Sequence, residues 1–251
     1  MLEERELLTE GKGKRVYATD DPRTAIVYFK DEAMAFHGLK RGSIMGKGEV
    51  NNEVCRHIFL LLKRRGIENH FIRRLDDRRS LVRRLEIIPF AVKVRNRVAG
   101  SLVGRLPLTV GSFLYPPVVE FVLKDEELDN TLINSSHIRA LRLATLQEID
   151  FITATALKIN EILTEHLAAV DIELIDFKLE FGRDGDKIIL ADEISPDTAR
   201  FWDSKTHEPL DIDRFRQNLG NVEQAYQDVL QRMMGLDAAE NLPDDDQEEE
   251  L

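Results

Sequence analysis

From Leu174 to Glu193 the chain reads LIDFKLEFGRDGDKIILADE: two apolar runs flank Asp184-Gly185, with acids and a lysine threaded through both. Along a strand, side chains alternate between faces. Ile175, Phe177, Leu179 and Phe181 therefore face a core, and Asp176, Lys178 and Glu180 form a charged row on the other side. Arg183-Asp184-Gly185 suits a three-residue hairpin loop with glycine in the left-handed position. That register sets Glu180 opposite Ile188, Lys178 opposite Leu190 and Asp176 opposite Asp192, which puts Asp192 on the charged face. A two-residue loop would send Asp192 into the core beside Phe177, at a cost for an unpaired carboxylate. The longer loop is expected, with a bulge near Asp192 to relieve Ile188 and Leu190. Acids directly opposite one another need a cation. Carboxylates gathered on a rigid sheet suit Mg2+, which usually brings phosphates with it. The plainer alternative is a solvated strand face with a lysine between two acids.

The rest of the chain sets that hairpin in an α+β protein. LLTEGKGKRVYAT and AIVYFK read as strands around a glycine-lysine turn, and Val50–Arg65 as a helix with Val54, Ile58, Leu61 and Leu62 on its buried stripe. SLVRRLEII and FAVKVRNRV read as strands either side of Pro89, expected to be the hinge between two lobes. A long helix is expected from Thr145, where Thr145 and Glu148 form a capping box ahead of Ile149, Ile152, Ala156, Ile159 and Leu163. A final helix gathers Val222, Ala225, Tyr226, Val229, Leu230 and Met233 on one face. Strands and helices mix without regular βαβ alternation, so the sheets are expected to be largely antiparallel. The division expected is an N-terminal lobe 1–89, a C-terminal lobe 90–236 and a tail 237–251.

The net charge of −11 is misleading until it is located: eight acids lie from Asp237 onward, leaving −3 on the body. That tail has too little apolar surface to order itself and reads as disordered. A near-neutral body gives no reason to expect nucleic acid as partner. No apolar run approaches the roughly 20 residues of a membrane helix, and the charged start is not a secretory signal. The single cysteine, Cys55, excludes an intramolecular disulfide and fits a reducing cytoplasm.

Three short stretches could hold phosphate. Gly11-Lys12-Gly13-Lys14 offers backbone close approach and point charges. Arg95-Asn96-Arg97 with Ala99-Gly100-Ser101 offers a guanidinium fork and a hydroxyl, and Ser195–Arg200 is the third. Each taken singly could be an exposed turn or a surface ion pair. Neither a Walker A loop nor a dinucleotide fingerprint occurs. The six histidines show no metal spacing.

Together these residues resemble the SAICAR synthetase family of purine biosynthesis, from about Leu7 to Met233. ELIDFKLEFG and LADEISPDTAR are similar to the family's two signatures, and GKGKRVY, VRNRVAGSL and DRFRQNLG to its other motifs. The resemblance implies two lobes with a nucleotide cleft between them, similar to kinase and ATP-grasp clefts. It implies ATP-dependent ligation of carboxyaminoimidazole ribotide (CAIR) to L-aspartate, with release of ADP and phosphate. By the same resemblance Lys12 and Lys14 would hold ATP phosphates, and the segment holding Arg84, Glu86 and Ile88 would supply the adenine hinge. Glu180 and Asp192 match the magnesium carboxylates. Lys178 would neutralise charge between the γ-phosphate and the CAIR carboxylate. Arg95, Ser101 and Arg200 match residues for the 5′-phosphate, and Asp197 one near the imidazole. A homo-oligomer is also implied.

The chain departs from the family at His37, where an acid is usual, and at Ala199, commonly serine. No feature locates the aspartate pocket; Lys205, Arg214 and Arg216 are the candidates. The competing functions are a small-molecule kinase on a similar cleft, and a nucleotide-binding regulatory protein without catalysis.

Overall fold

A computed structural model describes residues 3–35, 38–125, 127–128 and 130–240. His37 lies outside the described residues. The chain begins with β1 (Leu7–Glu10), β2 (Lys14–Ala18) and β3 (Thr24–Phe29), followed by a short hairpin of β4 (Glu32–Ala35) and β5 (Lys40–Ser43). Helix α1 (Lys47–Arg64) then leads to β6 (Phe71–Arg74) and β7 (Arg79–Arg83). These strands close an antiparallel sheet in the order β1-β2-β3-β7-β6. The expected helix starts three residues earlier than its apolar spacing indicated, and Val54, Ile58, Leu61 and Leu62 are all buried. Burying each such side chain stabilises by roughly 1.5–3 kcal/mol.

The β4–β5 hairpin stands by itself, and a second antiparallel sheet holds the strands that follow. It comprises β8 (Glu86–Arg97), β9 (Phe113–Leu123), β10 (Leu132–Ile133), β11 (Ile172–Asp184), β12 (Lys187–Ala191) and β13 (Ala199–Asp203). Its order is β10-β9-β8-β11-β12, and β13 also pairs with β11. Between β10 and β11 come α2 (Ser135–Ala140) and α3 (Leu146–Ala168); after β13 come α4 (Asp213–Arg216) and α5 (Val222–Glu240). The α+β class with largely antiparallel sheets is therefore as the sequence indicated. The capping box is formed as well: Thr145 Oγ1 accepts from Glu148 N at 3.2 Å, and Glu148 Oε2 accepts from Thr145 N at 2.7 Å. The five stripe residues of α3 are buried.

Pro89 is not a break between strands. It stands inside β8, where the pairing with β11 shifts register between Ala91 and Ile87. Proline has no N–H to give to a ladder, so a bulge is where a strand tolerates it. The passage between sheets falls earlier, at Arg84-Leu85. The sheets also meet edge to edge: His70 N donates to Leu190 O at 2.9 Å, and Leu190 N donates to Glu68 O at 3.1 Å. Helix α5 packs on α1, so the last helix among the described residues braces the first. That helix continues to Glu240, into the segment expected to be disordered; residues 241–251 lie outside the described residues.

The hairpin forms on a two-residue turn rather than the expected Arg183-Asp184-Gly185 loop, and in neither register weighed above, since continued pairing would set Asp192 level with Leu179 rather than with Asp176 or Phe177. Asp184 pairs with Lys187 and Phe181 with Leu190, leaving Gly185-Asp186 as a two-residue turn. Gly185 has φ +59, at the first turn position where a type II′ turn calls for glycine. Leu190 consequently joins Phe181 in the core. Asp192 nevertheless escapes the core, because β12 ends at Ala191 and Asp192 takes a left-handed φ of +64. The backbone turn does what the longer loop was expected to do.

Candidate functional site

Strand β11 organises the site because its far edge is shared. Its first half pairs with β13 (Ile172–Phe177 with Ala199–Asp203), and its second half pairs with β12 (Glu180–Asp184 with Lys187–Ala191). Between the two partners the chain leaves the sheet as a loop from Asp192 to Thr198, level with Lys178, whose N–H donates to Thr198 O at 3.0 Å. On the opposite edge, β8 sets Arg95 opposite Asp176 and Lys93 opposite Lys178. Directly opposed residues share a face, so the charged row of β11 continues onto β8.

At one end of that face lies a lysine–carboxylate cluster. Lys178 Nζ is 2.7 Å from Glu180 Oε1 and 3.1 Å from Asp192 Oδ2. Lys14 reaches across from the first sheet to Asp192 and lies 3.0 Å from Glu193 Oε1, while Lys124 contacts the other oxygen of Glu180. Burial opposes the charge on Lys14 and Lys178, yet the neighbouring carboxylates outweigh it and both lysines are held above their usual range. For Asp192, too, burial is outweighed by the two lysines, which hold its carboxyl well below the usual range. His70 donates through Nε2 to Asp192 O at 3.0 Å, and its burial lowers its pKa to about 4. No cluster of three or more potential metal-ligating side chains occurs among the described residues. Glu180 and Asp192 converge on one ammonium, and two carboxylates are what Mg2+ takes from a protein when phosphates and water complete its shell. The donor set fits that ion.

At the other end is an arginine cluster. Arg95 is 1% exposed and fully engaged: Nε donates to Glu120 Oε2 at 2.6 Å, Nη1 to Asp176 Oδ2 at 3.0 Å and Nη2 to Ser101 Oγ at 2.9 Å. Arg200 donates to the same Asp176 at 2.8 Å and to Asp213 Oδ2 at 2.7 Å. Gly100 must be glycine on two counts. Its φ is +53, and a Cβ there would sit 2.4 Å from Arg200 Nη2. Arg95 and Arg200, widely separated in sequence, thus meet on the Asp176 carboxylate, and Ser101 joins them through Arg95.

Asp197 stands apart from both. Its Oδ2 accepts from Lys47 Nζ at 2.6 Å and its Oδ1 from Tyr226 OH at 2.6 Å. Lys47 opens α1 and is fully buried; Tyr226 lies on α5. A Cβ on Gly13 would come within 3.1 Å of Asp197 Oδ2, so glycine lets the first-sheet loop close over this contact.

The structure therefore joins Lys14, Lys178, Glu180 and Asp192 in one group, and Arg95, Ser101 and Arg200 in another. Lys12 is exposed and makes no hydrogen bond or ion pair among the described residues. Arg84 and Glu86 are exposed on the link between sheets, where Glu86 lies 3.7 Å from Arg183, and Ile88 is buried at its end. The candidates for an aspartate pocket are engaged elsewhere: Lys205 with Asp171 at 2.5 Å, Arg214 with Glu208 at 3.2 Å and Arg216 with Asp213 at 2.7 Å. A cavity of about 530 Å3 between Ile67, Phe151, Phe181 and Ile188 opens on the other face of β11 and holds none of these residues.

Sequence reasoning missed Asp176 as the hub of the arginine cluster, and also Lys47, Glu193 and Tyr226. Gly46-Lys47-Gly48 repeats the composition of the glycine-lysine loop, a signal that could have exposed Lys47. Tyr226 carries none, since its ring serves the apolar stripe of α5 as any core residue would.

Residues 7–233 match the family model for SAICAR synthetase. A phosphoribosylaminoimidazole-succinocarboxamide synthase of Thermoanaerobacter sp. (strain X514) is 51% identical over 94% of this chain and 100% of its own length. The crystal structure of the enzyme of that name from Ehrlichia chaffeensis superposes with a TM-score of 0.89 at 41% identity, covering 91% of this chain and 98% of that one. A SAICAR synthetase in complex with ADP superposes equally well at 46% identity, covering 92% of this chain and 98% of the other.

Proposed function

The chain belongs to the SAICAR synthetase family, and on that premise we propose how its own residues carry out the ATP-dependent joining of CAIR to L-aspartate in purine biosynthesis. A carboxylate is a poor electrophile, so the CAIR carboxylate first takes the γ-phosphoryl group of ATP, forming an acyl phosphate and ADP. The aspartate amine then attacks the activated carbonyl and phosphate leaves. Phosphoryl transfer asks mainly for positioning and charge neutralisation. Lys14 and Lys12 hold the ATP phosphates, and the link from Arg84 through Glu86 to Ile88 lies along the adenine. Glu180 and Asp192 would hold Mg2+, which when bound supplies positive charge to the phosphates. Lys178, already shared between those carboxylates, neutralises charge where the γ-phosphate meets the substrate carboxylate. Arg95, Ser101 and Arg200 grip the ribotide 5′-phosphate, since a guanidinium forks onto phosphate oxygens in fixed geometry. Asp197, oriented at both oxygens by Lys47 and Tyr226, faces the ribotide from the loop.

The observation that carries this reading is the juxtaposition on one sheet face of a lysine–carboxylate cluster fed from both sheets and an arginine cluster built on strands. ADP release is the test, with CAIR and aspartate each omitted in turn. Turnover needing both supports the ligase. ADP formed at full rate without aspartate would make the chain a kinase. The cytoplasmic setting, supported by the lone buried Cys55, and a homo-oligomeric state belong to the same proposal.

A further inference from the structure

Among the described residues, the charged face contains a cation, Lys93, that is neither assigned above nor paired. Lys93 lies on β8 with Arg95 two residues along the strand, Lys178 opposite it on β11 and Glu120 opposite it on β9. It is partly buried, yet makes no hydrogen bond and no ion pair among the described residues. Every neighbouring cation is engaged: Arg95 by Glu120 and Asp176, Lys178 by Glu180 and Asp192, Lys124 by Glu180. Burial, with Arg95 adding to it, lowers the pKa of Lys93 from the usual lysine range. The carboxylates of Asp176 and Glu120 act on it only at a distance, and an ammonium partly taken from water without a direct ion pair costs free energy, which an incoming anion recovers.

Its position says which anion. Residues i and i+2 of a strand lie about 6.7 Å apart on one face. From the phosphate-gripping Arg95, the next side chain on that face towards Glu180 is Lys93. A ribotide carries its phosphate and its ring carboxylate at opposite ends, so a second cation for it must stand several ångström from the first, nearer the nucleotide cluster. Lys93 is the cation in that place. We propose that Lys93 binds the ring carboxylate of the ribotide substrate and presents it for phosphorylation, a role that rests on the assignment of Arg95 to the 5′-phosphate. The alternation Lys93, Arg95, Arg97 within FAVKVRNRV already marks the residue as sharing a face with the arginines.

Steady-state kinetics of Lys93→Met and Lys93→Arg, varying each substrate separately, test this. Met should raise the KM for CAIR at least tenfold and lower kcat, leave the KM for ATP within twofold, and be partly rescued by Arg. Because Lys93 has no protein partner to lose, Met should not lower the melting temperature; a purely structural lysine would. An unchanged CAIR KM in Lys93→Met, or a rise confined to aspartate, overturns the proposal. Arg95→Lys run alongside separates the two levels. If it raises the CAIR KM while Lys93→Met does not, the inference on Lys93 fails alone. If neither variant moves it, the ribotide placement fails as well.

Discussion

The two charged clusters on the β8–β11 face use the same kind of carboxylate and opposite kinds of cation. Around Asp176 the cations are arginines seated on the strands that flank β11 on either side, each locked by two or more hydrogen bonds. Around Asp192 they are lysines, and one of them, Lys14, comes from the other sheet. An arginine fork presents fixed geometry and suits a group that stays put through the reaction. A lysine is a point charge on a flexible stem, able to exchange one carboxylate for a phosphate. On the proposed assignment, the difference teaches that rigidity is placed where the substrate is anchored, and exchangeable charge where bonds change.

The largest expected effect lies at the exchangeable end. Glu180→Gln and Asp192→Asn should each lower kcat by a hundredfold or more, since electrostatic stabilisation of this kind is worth roughly 3–4 kcal/mol. Turnover within tenfold of the parent in both variants would break the comparison. The burial of His70, which outweighs its contact with Asp192, should then show in stability. With a folded pKa of about 4 against about 6.5 unfolded, the unfolded chain takes up the proton first. Stability from this group is present above pH 6.5 and is lost as pH falls towards 4, by up to about 3 kcal/mol. Denaturant titrations at pH 7 and pH 4 should find that His70→Gln loses correspondingly less than the parent.

At the rigid end, Arg200→Lys should raise the KM for CAIR about tenfold, near the 1.5 kcal/mol of one charge-assisted hydrogen bond. A weakened KM for ATP with CAIR unaffected would assign the arginine to the nucleotide instead. Smallest is Tyr226→Phe, which removes one hydrogen bond to Asp197. It should cost about 1 kcal/mol, lowering the melting temperature by about 2–4 °C, with a severalfold drop in kcat. A loss in melting temperature with kcat untouched would reduce Tyr226 to a structural brace.

Much of this was legible because local rules acted alone. Thr145 and Glu148 specify their cap, and the alternation of Phe177, Leu179 and Phe181 specifies the core face of β11. The hairpin register was misread because alternation was carried past the end of β12, whereas a single left-handed residue at Asp192 resets it. The phosphate-type residues Arg95 and Arg200 could be paired by chemistry before their meeting on Asp176 was visible. Lys47 and Tyr226 could not. Their role depends on α1 and α5 converging on Asp197 from opposite ends of the chain, and no short-range pattern encodes that.

That convergence also bears on how the protein is made. Helix α1 is synthesised well before its partner α5. Contacts so distant in sequence form slowly, because a long loop must close before they repay its entropy. The first sheet can assemble during translation from strands β1, β2, β3, β6 and β7, all within the first third of the chain. Asp197 gains its tyrosine only when the C-terminal helix docks. If Asp197 acts as proposed, activity should therefore appear only once α5 has docked and lag behind the burial of the first sheet, so that helix acts as a timer on the enzyme's onset.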